Sequence, residues 1–169
     1  MNTAAAACAW VGIGANLGDA AATVAAAIDA IGRLPTTRLL ARSSLWCSAP
    51  VDATGPDFVN AAASIETRLE PHRLLHELLQ LEVAHGRQRP YPNAPRTLDL
   101  DLLLYGGRVI DDAELTLPHP RMHQRAFVLA PLAEIDAALR IGQLGSVAEL
   151  LAKLMGAQTS QQLTRLPSV

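Results

Sequence analysis

The stretch Arg96-Thr97-Leu98-Asp99-Leu100-Asp101-Leu102-Leu103-Leu104-Tyr105 sets two carboxylates into an otherwise apolar run. Leu98, Leu100, Leu102 and Leu104 recur at every second position, and Asp99, Asp101, Leu103 and Tyr105 occupy the alternate ones. Period two marks a strand, whose successive side chains leave opposite faces. Asp99 and Asp101 therefore share a face, with Cα atoms roughly 6.5 Å apart. The apolar flanks suggest a strand near the centre of its sheet. Two carboxylates there would repel each other and lose hydration unless a cation lay between them. A divalent metal meets that need, because paired oxygen donors can hold or bridge Mg²⁺. A polar strand face whose aspartates are salt-bridged to arginine meets it too.

At 169 residues the chain is expected to form one domain, long enough for a real core. Half of the 169 residues are hydrophobic, which argues against disorder. The net charge of −2 gives no general reason to bind nucleic acid or an anionic membrane. Cys8 and Cys47 form no CxxC and no metal-finger spacing, so a reduced cytoplasmic protein is expected. The apolar start, Met1 to Ala9, is short and lacks a basic n-region, and no signal peptide is expected. No charge-free apolar run reaches the ~18 residues of a transmembrane helix.

Outward from the aspartate strand, the chain reads as alternating elements. Cys8–Ala15 is a first strand ending in a Gly-rich turn. Asp19 caps a helix over Ala20–Leu34, with Val24, Ile28 and Ile31 on one stripe. Gly12-x-Gly14 after a strand is the opening of a dinucleotide fingerprint, but the third Gly is misplaced and no acidic residue closes a second strand. Glycine where the strand passes close to another backbone accounts for it better. Thr37–Ser48 is a second, long strand and Phe58–Thr67 a third, forming an antiparallel pair. Pro71 stands at the first position of a helix that runs to about His85 and stops at Gly86, its apolar side carrying Leu74, Leu75, Leu78, Leu79 and Leu81. Arg87–Pro95, with three prolines in nine residues, leads into the aspartate strand as a flap. A short hairpin is expected over Val109–Leu117. Phe127–Ile135 is either a short helix or an edge strand. Ser146-x-x-Glu149 is a capping box for a last helix through Met155, and the tail from Gln158 reads as frayed.

The order is β-α-β-β-α-β with C-terminal additions. It predicts an α+β, ferredoxin-like fold with an antiparallel sheet and helices packed on it. A single domain spans 1–169, with a motif-bearing core at 10–136 and a C-terminal helix and tail at 137–169.

Over residues 10–136 the chain resembles the 6-hydroxymethyl-7,8-dihydropterin pyrophosphokinases of folate biosynthesis. Three motifs carry the resemblance: Gly12-Ile13-Gly14-Ala15-Asn16-Leu17-Gly18, Pro95-Arg96-Thr97-Leu98-Asp99-Leu100-Asp101, and Leu117-Pro118-His119 with Arg125-x-Phe127. The strand Asp57-Phe58-Val59-Asn60-Ala61 matches as well. The resemblance implies a ferredoxin-like fold and transfer of the β,γ-pyrophosphoryl group of ATP to the pterin's hydroxymethyl oxygen, releasing AMP. It implies two Mg²⁺ ions held by Asp99 and Asp101, and a monomer as the usual state. Arg87 and Arg96 fall at positions that engage phosphates and the leaving group, with Arg89 assisting; a planar guanidinium can contact two phosphate oxygens at once. Glu82, Leu102, Thr116, His119 and Arg125 match positions on the ATP side. Ser48, Val51, Phe58, Asn60 and Phe127 match the pterin side, the two Phe as ring-stacking partners and Asn60 as a reader of the heterocycle's edge. Taken alone, the Phe residues could be core, His119 an exposed turn residue and Glu82 a helix-surface charge. The chain departs from the family in the flap, which lacks its common Trp and offers Tyr91 or Asn93 instead, and at Pro120, where an aromatic often follows the His. Ordering of the flap on nucleotide binding is expected.

Two other classes compete. A ferredoxin-like binding or regulatory domain without catalysis would not need paired aspartates beside three arginines. Another Asp-x-Asp phosphotransferase would call for a Gly-Ser or Walker-type phosphate loop, which the sequence lacks.

Overall fold

The first strand, β1 (Ala7–Ala15), runs through the middle of the sheet and carries the Gly-x-Gly pair near its end. This computed structural model describes residues 4–50, 55–86, 97–157 and 161–168. Asp19 accepts from the Ala22 N–H and opens α1 (Ala20–Gly32), which buries Val24, Ala27, Ile28 and Ile31 as one stripe. The expected second strand divides into β2 (Thr37–Arg42) and β3 (Trp46–Ser48). Both pair with β4 (Phe58–Thr67), so they are one edge broken in the middle. Ser43 causes the break: its hydroxyl, not a strand carbonyl, accepts the Ala62 N–H, and the backbone turns out of the ladder.

α2 (Pro71–Ala84) begins on its proline as expected, and Gly86 ends it at φ +76°. Its core face is narrower than the leucine count suggests, because Leu74 and Leu78 are buried while Leu79 is exposed. The aspartate strand is β5 (Asp99–Tyr105). It does not lie at the sheet centre. The order is β5-β1-β4-β3-β8, with β2 also on β4, and β5 is an edge. This arrangement is the ferredoxin-like βαββαβ sheet, antiparallel throughout its core pairs. The apolar run suggested a central strand because β5 is covered on both faces. A bulge opposite Trp10/Val11 also breaks its period. Leu98, Leu100, Leu102 and Tyr105 join the main core under α1 and α2, whereas Leu103 and Leu104 join a second core.

That second core lies beneath the C-terminal additions. A hairpin of β6 (Ile110–Asp111) and β7 (Thr116–Leu117) is followed by a 3₁₀ turn at Met122–Gln124, then α3 (Ala126–Asp136) and α4 (Val147–Gly156). The apolar stretch around Phe127 is therefore a helix, not an edge strand. The Ser146–Glu149 capping box is present in both directions. The tail is not wholly frayed: β8 (Leu163–Arg165) adds to the sheet beside β3. Among the described residues, no helix is long and apolar enough to cross a membrane.

Candidate active site

Where β1, β4 and β5 run side by side, register places Gly14 between Asn60 on β4 and Asp99 on β5, and Gly12 between Ala62 and Asp101. These positions form the floor of a cavity of about 110 Å³. Its walls include Ser48, Phe58, Asn60, Asp99, Asp101, Arg125 and Phe127. β3 and β4 supply one side, β5 the acidic side, and the start of α3 the roof. The two glycines explain the Gly-x-Gly spacing better than a phosphate-binding fingerprint does. A Cβ on Gly14 would stand 3.3 Å from Asn60 Oδ1. A Cβ on Gly12 would touch the Leu103 methyls at 3.5 Å.

The apolar and polar walls face each other. Phe58 and Phe127 line the space from β4 and from α3. Asn60 is buried, and its Nδ2 donates to Ser48 Oγ at 2.7 Å. That bond fixes which way the carboxamide faces and turns Oδ1 towards Gly14. On the acidic side, Asp101 lies 3.9 Å from the Arg125 guanidinium, with a third or less of each side chain exposed. The pair is a loose electrostatic contact, longer than a hydrogen bond. The same guanidinium sits 5.6 Å from the centre of the Phe127 ring, a cation–π distance. Arg125 is thus held between a carboxylate and an aromatic face.

Glu82, Leu102, Thr116 and His119 lie outside that lining. Glu82 is not on the helix surface. It is 1% exposed, and Oε1 accepts the Leu100 N–H at 2.7 Å, between the two aspartates of β5. A side chain from α2 so occupies a backbone donor on an edge strand. Leu102 is 3% exposed and its side chain is in the main core, on the far side of β5 from the aspartates. Thr116 pairs with Asp111 in the small hairpin. His119 donates its backbone N–H to Leu103 O at 2.9 Å, another tie to the β5 edge. Burial, then the positive charge of Arg125, pushes its imidazole down to about 4, against a smaller upward pull from Asp99. The ring is therefore neutral at pH 7. Its Nδ1 accepts the Arg121 N–H at 3.1 Å, so Nε2 carries the proton.

Val51, Arg87, Arg89 and Arg96, with the flap residues Tyr91 and Asn93, lie outside the described residues. Six lining residues had no place among the expected contacts: Gly12, Ile13, Gly14, Ala49, Ala61 and Val128. The glycines did leave a signal, two of them spaced to leave one strand face bare. Among the described residues no group of three or more His, Cys, Asp and Glu side chains is disposed to hold a metal. The Asp99–Asp101 pair is the acidic set that faces the cavity.

The model of the 7,8-dihydro-6-hydroxymethylpterin-pyrophosphokinase family matches residues 10–137, three quarters of the chain. The 2-amino-4-hydroxy-6-hydroxymethyldihydropteridine pyrophosphokinase of Methylorubrum extorquens is 45% identical over 147 residues, covering 86% of this chain and 92% of that protein. The Pseudomonas aeruginosa protein of the same name is 44% identical over 144 residues, covering 85% and 89%. Among solved structures, the wild-type HPPK-DHPS of Plasmodium falciparum superposes with a TM-score of 0.77 at 10% identity. That match takes in 92% of this chain but only 46% of the Plasmodium chain, and at such identity it speaks for the fold alone. Sequence identity of this level along nearly the whole length of the bacterial relatives is decisive: the chain belongs to the 7,8-dihydro-6-hydroxymethylpterin pyrophosphokinase family.

Proposed function

We propose that the cavity between β4, β5 and α3 is where this pyrophosphokinase of folate biosynthesis brings ATP and 6-hydroxymethyl-7,8-dihydropterin together. The observation that carries the proposal is the division of one cavity into an aromatic–amide wall and a dicarboxylate wall, both lined by residues of the family's motifs. The flat heterocycle stacks between Phe58 and Phe127. Asn60, already oriented by Ser48, reads its hydrogen-bonding edge. This places the hydroxymethyl group towards Asp99 and Asp101, beside the triphosphate.

The aspartates fit Mg²⁺. They offer hard oxygen donors two residues apart on one strand face, and Mg²⁺ binds through one or two carboxylates, filling its other positions with water and phosphate oxygens. When bound, two such ions would neutralise the phosphates and hold the attacking oxygen. The chain's own groups do the rest. Arg125 supplies a fixed positive charge at the acidic wall. Neutral His119 presents Nε2–H as a donor without adding charge. Arg87, Arg89 and Arg96 of the flap serve the phosphates, and Glu82 keeps β5 in place through Leu100. In the reaction the hydroxymethyl oxygen forms a bond to the β-phosphorus and loses its proton. The bond from the β-phosphorus to the α-bridging oxygen breaks, and AMP departs. A cytoplasmic monomer drawing both substrates from solution completes this reading.

Incubation with ATP, MgCl₂ and 6-hydroxymethyl-7,8-dihydropterin tests it. AMP and pterin diphosphate are expected in equal amounts. ADP as the nucleotide product would overturn the pyrophosphoryl assignment. Binding of the pterin without any product would instead favour a non-catalytic domain.

A further inference from the structure

α3 begins without a cap of its own. Its N-cap residue is Arg125, whose side chain makes no capping hydrogen bond because it is turned to Asp101 and Phe127. Helix starts ordinarily recruit a neighbouring Ser, Thr, Asp or Asn for this task. Here the partner comes from 35 residues further along the chain. Gln161 Oε1 accepts the Ala126 N–H at 2.7 Å, and Gln161 Nε2 donates to Gln124 O at 3.1 Å. One carboxamide therefore grips the backbone on both sides of Arg125. Arg125 itself is extended there, at φ −118° and ψ 105°, between the 3₁₀ turn and the helix.

The segment that carries Gln161 is anchored a second time. β8 pairs with β3, the strand that bears Ser48. Its Arg165 donates from Nε to Ser44 Oγ at 2.9 Å and lies 3.7 Å from Glu134 of α3. Glu134 in turn accepts from Trp46 Nε1 at 2.5 Å and from the Ser44 N–H at 3.2 Å. The C-terminal segment thus fastens α3 to β3 at one place and sets the start of α3 at the other.

We infer that Gln161 is a positioning residue for the substrate cavity, acting through the backbone of Arg125 and Phe127. The inference rests on the cavity reading above. It assigns a function to a tail that otherwise looks like a mere extension of the fold. Arg125 and Phe127 leave the same first turn of α3, so a shift there moves the charge beside Asp101 and the aromatic wall together. Backbone held from both sides keeps that pair aligned before substrate arrives, which is where second-layer contacts act on a site.

The test compares Gln161→Leu, which loses both bonds, with Gln161→Glu, which keeps an acceptor for the Ala126 N–H and loses the donor to Gln124. Arg125→Ala and Phe127→Ala report on the cavity itself, and Arg165→Ala cuts the remote anchor. Pterin affinity, KM, kcat and Tm are measured on the full chain. Gln161→Leu is expected to weaken pterin binding about tenfold, the scale set by one or two hydrogen bonds. Its KM should rise more than its kcat falls, and Gln161→Glu should lie between it and the wild type. Arg165→Ala should lower Tm and leave pterin affinity unchanged. A Gln161→Leu protein with lower Tm but wild-type affinity and kcat/KM overturns the inference, since Gln161 would then only stabilise the fold. If Arg125→Ala and Phe127→Ala weaken binding and Gln161→Leu does not, the inference alone falls. If neither of those two variants affects either substrate, the cavity reading falls first.

Discussion

Adding a single methyl group at Gly14 separates the demands of the fold from those of the site. Gly14 lies near the end of β1 without a left-handed backbone, so Gly14→Ala meets no conformational bar. Losing glycine's freedom in the unfolded chain favours the folded state by about 0.4–1 kcal/mol. Against this, the new Cβ stands 3.3 Å from Asn60 Oδ1 and the carboxamide must yield by a few tenths of an ångström. That motion strains the 2.7 Å bond from Asn60 to Ser48, worth about 0.5–1.5 kcal/mol. The two effects nearly cancel, and Tm should move by no more than about 4 °C. Binding has no such compensation. The methyl projects into a cavity of about 110 Å³ and displaces the Asn60 amide that lines it, which is the wall proposed to read the pterin. Overpacking of a filled site costs about 1–3 kcal/mol, or roughly 5- to 150-fold in affinity. Thermal melts and pterin titrations on the same preparation read both quantities. Unchanged pterin affinity in a folded Gly14→Ala protein would falsify the placement of the heterocycle against β1. A collapse in Tm would show that the glycine serves packing alone.

Other perturbations probe the remaining walls. Glu82→Leu leaves the Leu100 N–H without its carboxylate and should cost about 1–3 kcal/mol by urea denaturation, whereas Glu82→Gln retains an acceptor and should cost less; equal midpoints for all three proteins would rule out this brace. Asp101→Asn should lower kcat by about 10²-fold or more while leaving Tm within a few degrees, because it removes one of two like charges from a shared strand face; a parallel loss of folding and rate would mean a structural aspartate instead. In chelator-treated protein, the His119 ring should titrate near pH 4, as followed by NMR with His119→Gln for assignment. Its folded value lies below the unfolded value of about 6.5, so the unfolded chain binds the extra proton and stability should rise with pH between about 4 and 6.5. His119→Gln should flatten that rise; an identical pH–stability curve in the variant would refute the assignment.

How far each element could be read from sequence depended on whether its controlling contacts were local. Asp19, Pro71, Gly86 and the Ser146–Glu149 box act within one turn of the chain, and α1, α2 and α4 begin or end at or close to those markers. β4 keeps its expected bounds, Phe58–Thr67. The split at Ser43 was hidden because it depends on a hydroxyl finding the Ala62 N–H across the sheet. α3 was ambiguous because both its sides are largely buried, from Val128 through Leu132, which erases the amphipathic period that tells helix from strand. β8 is short and mostly exposed, and its partner β3 lies more than a hundred residues earlier. For the site, Phe58, Asn60, Asp99, Asp101, Arg125 and Phe127 came from motifs and do converge on one cavity. Gln161 had no local signature at all, since its meaning lies at the start of α3, 35 residues earlier, where Arg125 makes no capping bond.

The edge position of β5 resolves the difficulty that its sequence poses. Two carboxylates on a strand walled in by neighbours on both sides would be desolvated and mutually repulsive, at a cost that rises steeply with burial. At the edge, Asp99 and Asp101 are only half-buried and open onto the cavity, while their neighbours Leu100 and Leu102 anchor the strand from the opposite face. An exposed edge brings its own hazard of unpaired backbone groups. The chain meets it with side chain and loop: Glu82 takes the Leu100 N–H, and the His119 N–H takes the Leu103 carbonyl. Both ties reach the β5 edge from outside the cavity lining, one from α2 and one from the loop after β7, so they seal the strand without covering its aspartates. Covering the edge with another strand would satisfy the backbone equally well and would close the approach to those aspartates. The acidic strand is therefore held at its edge by contacts that leave Asp99 and Asp101 open onto the cavity.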